Sequence, residues 1–107
     1  MYLYNLTTNV AEEIEDKWLD WMRKTHIPNM MATNKFTNAL LIEVSKTEEM
    51  GGITYVSQYK CESAEKLKAF YIEDSGRLNS EVKRIFGEKV LTFGMELKVV
   101  EEFDYRD

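Results

Sequence analysis

Between Tyr2 and Val100 the apolar residues recur first at every second position, then about every 3.6, then at every second position in two successive runs. They close with one more stretch of about 3.6 and one more of two. Side chains alternate across a strand and return to the same face of a helix about every 3.6 residues, so this order reads strand, helix, strand, strand, helix, strand. Two β-α-β halves joined by a hairpin are expected to form an α+β, two-layer sandwich. Its helices pack on one face of an antiparallel sheet in the ferredoxin-like order β-α-β-β-α-β.

The first run alternates Tyr2, Tyr4 and Leu6 with Leu3, Asn5 and Thr7 over residues 2 to 8. Asn9 precedes Glu12 by three positions, as a helix cap and its reciprocal carboxylate do. The segment that follows is acidic at Glu12, Glu13, Glu15 and Asp16 and basic at Arg23 and Lys24, an order that complements the helix dipole. On a wheel, Ala11, Ile14, Trp18, Leu19, Trp21 and Met22 share one arc. Pro28 has no backbone N–H and restricts the residue before it, so this helix is expected to end between Thr25 and Ile27.

Phe36 to Val44 and Ile53 to Lys60 read as a hairpin closed through Ser45 to Gly52, where Gly51 and Gly52 tolerate positive φ. A phosphate-binding loop needs a helix after its glycines, and here a strand follows. Ser63 caps a second helical stretch running to Phe86, with a break expected at Asp74-Ser75-Gly76 and a glycine C-cap at Gly87. Val90 to Val100 is the last strand, with Leu91, Phe93, Met95, Leu97 and Val99 on one face.

The 107 residues suffice for one core and are expected to form a single domain over 1–107, with 101–107 a loose tail. Hydrophobic residues at 44% supply enough apolar surface to fold, which sets the chain apart from disordered sequences. A net charge of -5 without a basic stripe argues against a nucleic-acid-binding surface, so no nucleic-acid partner is expected. Cys61 is the lone cysteine and closes no disulfide within the chain, which fits a reducing, cytoplasmic setting. The longest apolar run, Ala39-Leu40-Leu41-Ile42, is too short to span a bilayer, and no cationic leader opens the chain.

The run Trp18-Leu19-Asp20-Trp21-Met22-Arg23-Lys24-Thr25-His26-Ile27-Pro28, continued by Ala32-Thr33-Asn34-Lys35-Phe36, resembles a small family known as a domain of unknown function. Glu49-Met50-Gly51-Gly52-Ile53-Thr54-Tyr55 through Gln58-Tyr59 carries the same likeness, which spans nearly the whole chain. That family is similar to the dimeric α/β-barrel superfamily, where helix one often ends in a Trp-x-x-x-x-His-x-Pro pattern, matched here by Trp21, His26 and Pro28. The resemblance implies a homodimer in which two sheets pack together. It leaves function open, because the superfamily includes cofactor-free monooxygenases, haem enzymes, isomerase-like proteins and members without known activity.

His26 is the single histidine, hence the one side chain whose ordinary pKa lies near neutrality and the candidate base. The competing reading makes it a cap at the end of helix one. Glu15 shares its side of the helix, but eleven residues of helix separate the two by roughly 16 Å, too far for a dyad. Trp18, Trp21, Met22, Tyr55 and Tyr59, with Phe93, are candidates to wall a pocket between helices and sheet, against the alternative that they are core. Asn5, Thr7, Asn38, Ser57 and Gln58 lie on strands and need polar partners there. Asn5 also mimics a strand-one asparagine that the resemblance associates with haem-degrading barrels, but the second helical region lacks the axial histidine of those enzymes. No metal-spaced Cys/His cluster, Ser-His-Asp order or dinucleotide fingerprint is present, and no cofactor is expected. The leading expectation is a non-catalytic or ligand-binding homodimer that takes a small hydrophobic or aromatic ligand. The alternatives are a cofactor-free oxygenase or isomerase with His26 as base, and a haem-binding protein.

Overall fold

The computed structural model describes residues 1–44 and 51–105. Its strands are β1 (Tyr2–Val10), β2 (Asn38–Glu43), β3 (Ile53–Cys61) and β4 (Val90–Lys98). They form one sheet in the order β2-β3-β1-β4, antiparallel throughout. Between β1 and β2 run a 3-10 turn (Glu12–Ile14), α1 (Glu15–Trp21), a π turn (Met22–His26) and α2 (Ile27–Ala32). Between β3 and β4 run α3 (Ala64–Glu73), α4 (Ser75–Phe86) and a 3-10 turn (Gly87–Lys89). This is the ferredoxin-like arrangement expected from the periodicities.

The second helical stretch follows its sequence signals closely. Ser63 accepts the Lys66 N–H at 3.2 Å and starts α3. The break falls at Asp74, two residues before Gly76. Gly87 ends α4 at φ 58 and ψ -134, a backbone region that is open to glycine and closed to residues with a Cβ. Gly51 and Gly52 both have positive φ, at 70 and 73. The rest of the hairpin connection, 45–50, and the tail's last residues, 106–107, lie outside the described residues. Residues 101–105 carry no regular secondary structure.

The first helical stretch departs from expectation at both ends. Asn9 stays in β1 and its amide donates to the Gly51 carbonyl at 3.3 Å, while Ala11 stands at the helix start without a side-chain cap. The helix also passes through Pro28 instead of stopping before it. Within an α-helix the proline ring would collide with the carbonyl four residues back and leave it without a donor. Here the backbone widens into a π turn just upstream, where the Ile27 N–H bonds to the Met22 carbonyl five residues back. Pro28 then falls in the first turn of α2, where a missing N–H costs nothing.

All helices lie on one face of the sheet, and the core divides there into two clusters. Tyr4, Leu6, Met30, Phe36, Tyr59 and Phe70 belong to one; Val10, Trp18, Met22, Tyr55, Phe86 and Val90 form the other. Stacked and edge-on rings, such as Tyr4 on Phe36 at 6.2 Å and Phe36 on Phe70 at 4.9 Å, fill the first cluster.

At its edge Lys35 reaches Asp74 at 3.0 Å and Glu73 at 3.4 Å, and Asp74 also pairs with Arg77 at 3.0 Å. The Asp74 side chain is 11% exposed, so its two cations replace water it cannot reach. An exposed pair such as Asp20 with Lys24 exchanges one solvated state for another and contributes little. Asp74→Ala is therefore expected to lower the urea midpoint several-fold more than Asp20→Ala at unchanged m-value. Equal midpoints for the two variants would show that the network is not structural.

The other face of the sheet carries no helix. Register places Ile42, Val56, Thr7 and Phe93 in one row across it, and Leu40, Gln58, Asn5 and Met95 in the next. Phe93 is 73% exposed, Met95 60% and Leu40 57%, so the apolar stripe of β4 points away from the helices. In the middle of this face Gln58 donates to Asn5 at 3.0 Å, and each amide thereby finds a partner.

Candidate functional site

Where the two core clusters meet, the packing leaves a cavity of about 280 Å³ between sheet and helices. The sheet supplies Tyr4, Leu6 and Thr8 from β1, Ser57 from β3, and Thr92 and Gly94 from β4. Trp18 of α1, Met22 and His26 of the π turn, and Asn79 and Val82 of α4 complete the wall. The sheet residues are those in phase with the core: Leu6 pairs with Ser57 on one side and with Gly94 on the other. At the centre of β4 a glycine leaves space where any other residue would project a side chain. A Cβ on Gly94 would lie 3.3 Å from a Leu6 methyl and 3.7 Å from the Tyr4 ring and hydroxyl.

The π turn sets the helical side of the cavity. It holds Met22 and His26 inward together, both buried, with Trp18 one turn earlier and 2% exposed. The His26 ring stacks on Trp21 with centroids 4.8 Å apart. An indole face attracts imidazolium by about 0.5–2 kcal/mol. Burial outweighs that attraction and drives the His26 pKa from 6.5 down to about 4, with no charged neighbour contributing. At neutral pH the ring is therefore uncharged, with one nitrogen that accepts and one that donates.

Around it the polar groups are hydroxyls and an amide. The Thr8 and Thr92 hydroxyls lie 3.2 Å apart and share one hydrogen bond. Burial raises the Tyr4 pKa, with Asn79 acting in the opposite sense. Behind Ser57 the Tyr59 hydroxyl is fully buried and, among the described residues, meets no partner in hydrogen-bonding geometry. Burial pushes its pKa up to about 12, with Ser57 opposing the change.

Of the residues singled out from sequence, the cavity brings together Trp18, Met22 and His26. Trp21 stands behind His26 and against Phe86. Tyr55 lies beneath Trp18, ring centroids 5.0 Å apart, and donates its hydroxyl to Glu15 at 2.5 Å, with Glu43 at 3.5 Å. Burial and these carboxylates raise its pKa. Glu15 is thus engaged away from His26. Tyr59 fills the first core cluster rather than the cavity wall. Asn5 and Phe93 lie on the opposite face of the sheet, because side chains of odd and even positions on a strand point to opposite sides. One ligand cannot touch both Asn5 and His26, and the haem analogy built on Asn5 loses its geometric basis. Sequence reasoning passed over Tyr4, Thr8, Asn79, Thr92 and Gly94. The available signals were hydroxyl residues in phase with the core on three strands and a glycine in mid-strand.

No group of three or more metal-ligating side chains occurs among the described residues. None of the helices described is long and apolar enough to cross a membrane.

Among solved structures the chain is similar to a dimeric ferredoxin-like protein from an uncultured marine organism. The two are 15% identical with a TM-score of 0.71, over 95% of this chain and 97% of that one. It is also similar to an ethyl tert-butyl ether d (EthD) family protein from Bacillus halodurans, at 15% identity and a TM-score of 0.69, over 94% of this chain and 100% of that one. At these identities the likeness concerns the fold. No curated protein matches the chain. A family description covers residues 1–100, almost the full length, and on that match the chain belongs to the family Domain of unknown function (DUF4286).

Proposed function

We propose that the protein is a homodimeric small-molecule-binding domain whose ligand occupies the cavity between sheet and helices, hydrogen-bonded to neutral His26. The observation that carries this reading is the cavity itself, about 280 Å³ and lined by both apolar and hydrogen-bonding side chains. Its size sits near the lower end of ligand pockets and suits a single ring. Two packed copies would cover the apolar rows of the open sheet face, and a structural neighbour is described as dimeric. The unpaired, buried Cys61 accords with a cytoplasmic setting.

A second reading makes His26 the base of a cofactor-free oxygenase or isomerase, and its place on the cavity wall favours that idea. Two facts weigh against it. A base works best with a pKa near the working pH, and His26 is held at about 4. No carboxylate lines the cavity among the described residues to orient the ring or to stabilise an imidazolium.

The test is a fragment panel of neutral and charged single-ring compounds, followed by NMR. Saturable shifts are expected at the Trp18 indole N–H and the His26 ring, without shifts at the Asn5 and Gln58 side-chain amides on the far face. Silence across the panel at millimolar concentration, or shifts confined to the far face, would remove the binding reading.

A further inference from the structure

The cavity is polar but carries no charge. Its lining includes Tyr4, Thr8, His26, Ser57, Asn79 and Thr92, and none of the described Asp, Glu, Lys or Arg side chains, in a chain where 31% of residues are charged. A site for a phosphate, a carboxylate or an ammonium group supplies a counter-charge, because an ion carried past the exposed Asn79, Thr92 and Gly94 to the buried Thr8, His26 and Ser57 loses its hydration at a cost of several kcal/mol. Resting on the binding reading above, we propose that the ligand is an uncharged, ring-sized compound with a hydroxyl or carbonyl group, and that Gly94 provides the space for its ring.

Three features of the fold favour a neutral ligand over either ion. An anion would meet only neutral donors inside and, beside Tyr4 at the β1-β4 pairing, the carboxylate of Glu96 on the same face of the sheet. A cation would enter surroundings that already disfavour one, since burial alone keeps the His26 imidazole from taking a proton near neutrality. Glu96 stands beside Tyr4 but outside the lining, so it repels an anion from there without giving a contact partner to a cation held against His26. A neutral hydroxyl can instead donate to His26 and accept from Ser57 or from the free hydrogen of the Thr8 and Thr92 pair. Leu6, Trp18, Met22 and Val82 surround the ring with apolar surface.

Calorimetric titration of the full chain with benzyl alcohol, benzoate and benzylamine holds the ring constant and varies the charge. Benzyl alcohol is expected to bind at least tenfold more tightly than either ion at pH 7. Equal or tighter binding of benzoate or benzylamine overturns the neutral-ligand proposal and leaves the binding reading standing. Absence of binding by all three removes both. Gly94→Val is expected to abolish benzyl alcohol binding, and Gly94→Ala, whose single methyl meets the Leu6 and Tyr4 side chains first, to weaken it if the valine variant does not fold. Unchanged affinity in whichever variant is folded would place the ligand elsewhere and overturn the assignment of Gly94.

Discussion

Acidification from pH 7 to pH 4 is expected to cost the native state about 3 kcal/mol through His26 alone, the free energy equivalent of moving its pKa from 6.5 to about 4. The sign follows from proton uptake. Between those two values the unfolded chain carries a proton on its imidazole and the native protein does not, so falling pH draws the equilibrium toward the unfolded state. Above about 6.5 neither state is protonated and the effect vanishes; below about 4 both are, and the loss levels off. His26→Gln keeps a polar side chain of similar reach and removes the titration. Urea unfolding at fixed protein concentration should therefore show wild type losing stability to acid more steeply than the variant, by about 3 kcal/mol over this range. Parallel curves would mean that the ring is solvated or paired, contrary to its burial among Trp21, Met22 and the cavity wall.

The second large effect concerns the helix-free face. Phe93→Lys is expected to convert the proposed dimer, of twice 12.6 kDa, into a monomer at micromolar concentration, read by sedimentation equilibrium. Phe93 pairs with Thr7 in a row that continues through Val56 to Ile42, and it is the most exposed large hydrophobic side chain of β4. An unpaired charge buried in an interface costs about 3–5 kcal/mol. Two-fold symmetry places it there twice, and the two like charges repel. Because Phe93 is outside the protomer's own core, far-UV circular dichroism should be unchanged. A wild-type mass of 12.6 kDa, or a variant that sediments like wild type, would reject this face as the dimer contact.

Much of the architecture was legible because period and punctuation agree. The Ser63 cap, the break near Gly76 and the glycine ends each have a local cause, and the structure repeats them. What sequence could not assign was the side of the sheet. Alternation along β4 groups Leu91, Phe93, Met95 and Leu97 together, but an apolar face has the same signature whether it meets helices or a second sheet. The same alternation left the cavity unread, since Thr92 and Gly94 fall in its polar half and are exposed residues of the cavity wall rather than buried ones. Pro28 misled for a different reason: the rule that it ends a helix assumes α geometry, and a π turn relaxes that assumption. Trp18, Met22 and His26 were recoverable because they lie close together on one continuous helical stretch. Their partners across the cavity come from three strands and a distant helix, a convergence that only tertiary structure supplies.

The π turn also works as a phase adjuster. Trp18, upstream of it, and Met22, its first residue, face one core cluster, while downstream Met30 faces the other and Ile27 touches both. A uniform α-helix turns about 100° per residue, so removing one residue from Met22–His26 would restore regular bonding and swing everything after it by that angle. Met30 would leave its cluster and Pro28 would return to a position it cannot occupy. The length of this turn is thus a gearing between the two halves of the core, and the cavity is the gap that the gearing leaves at the point where they change over.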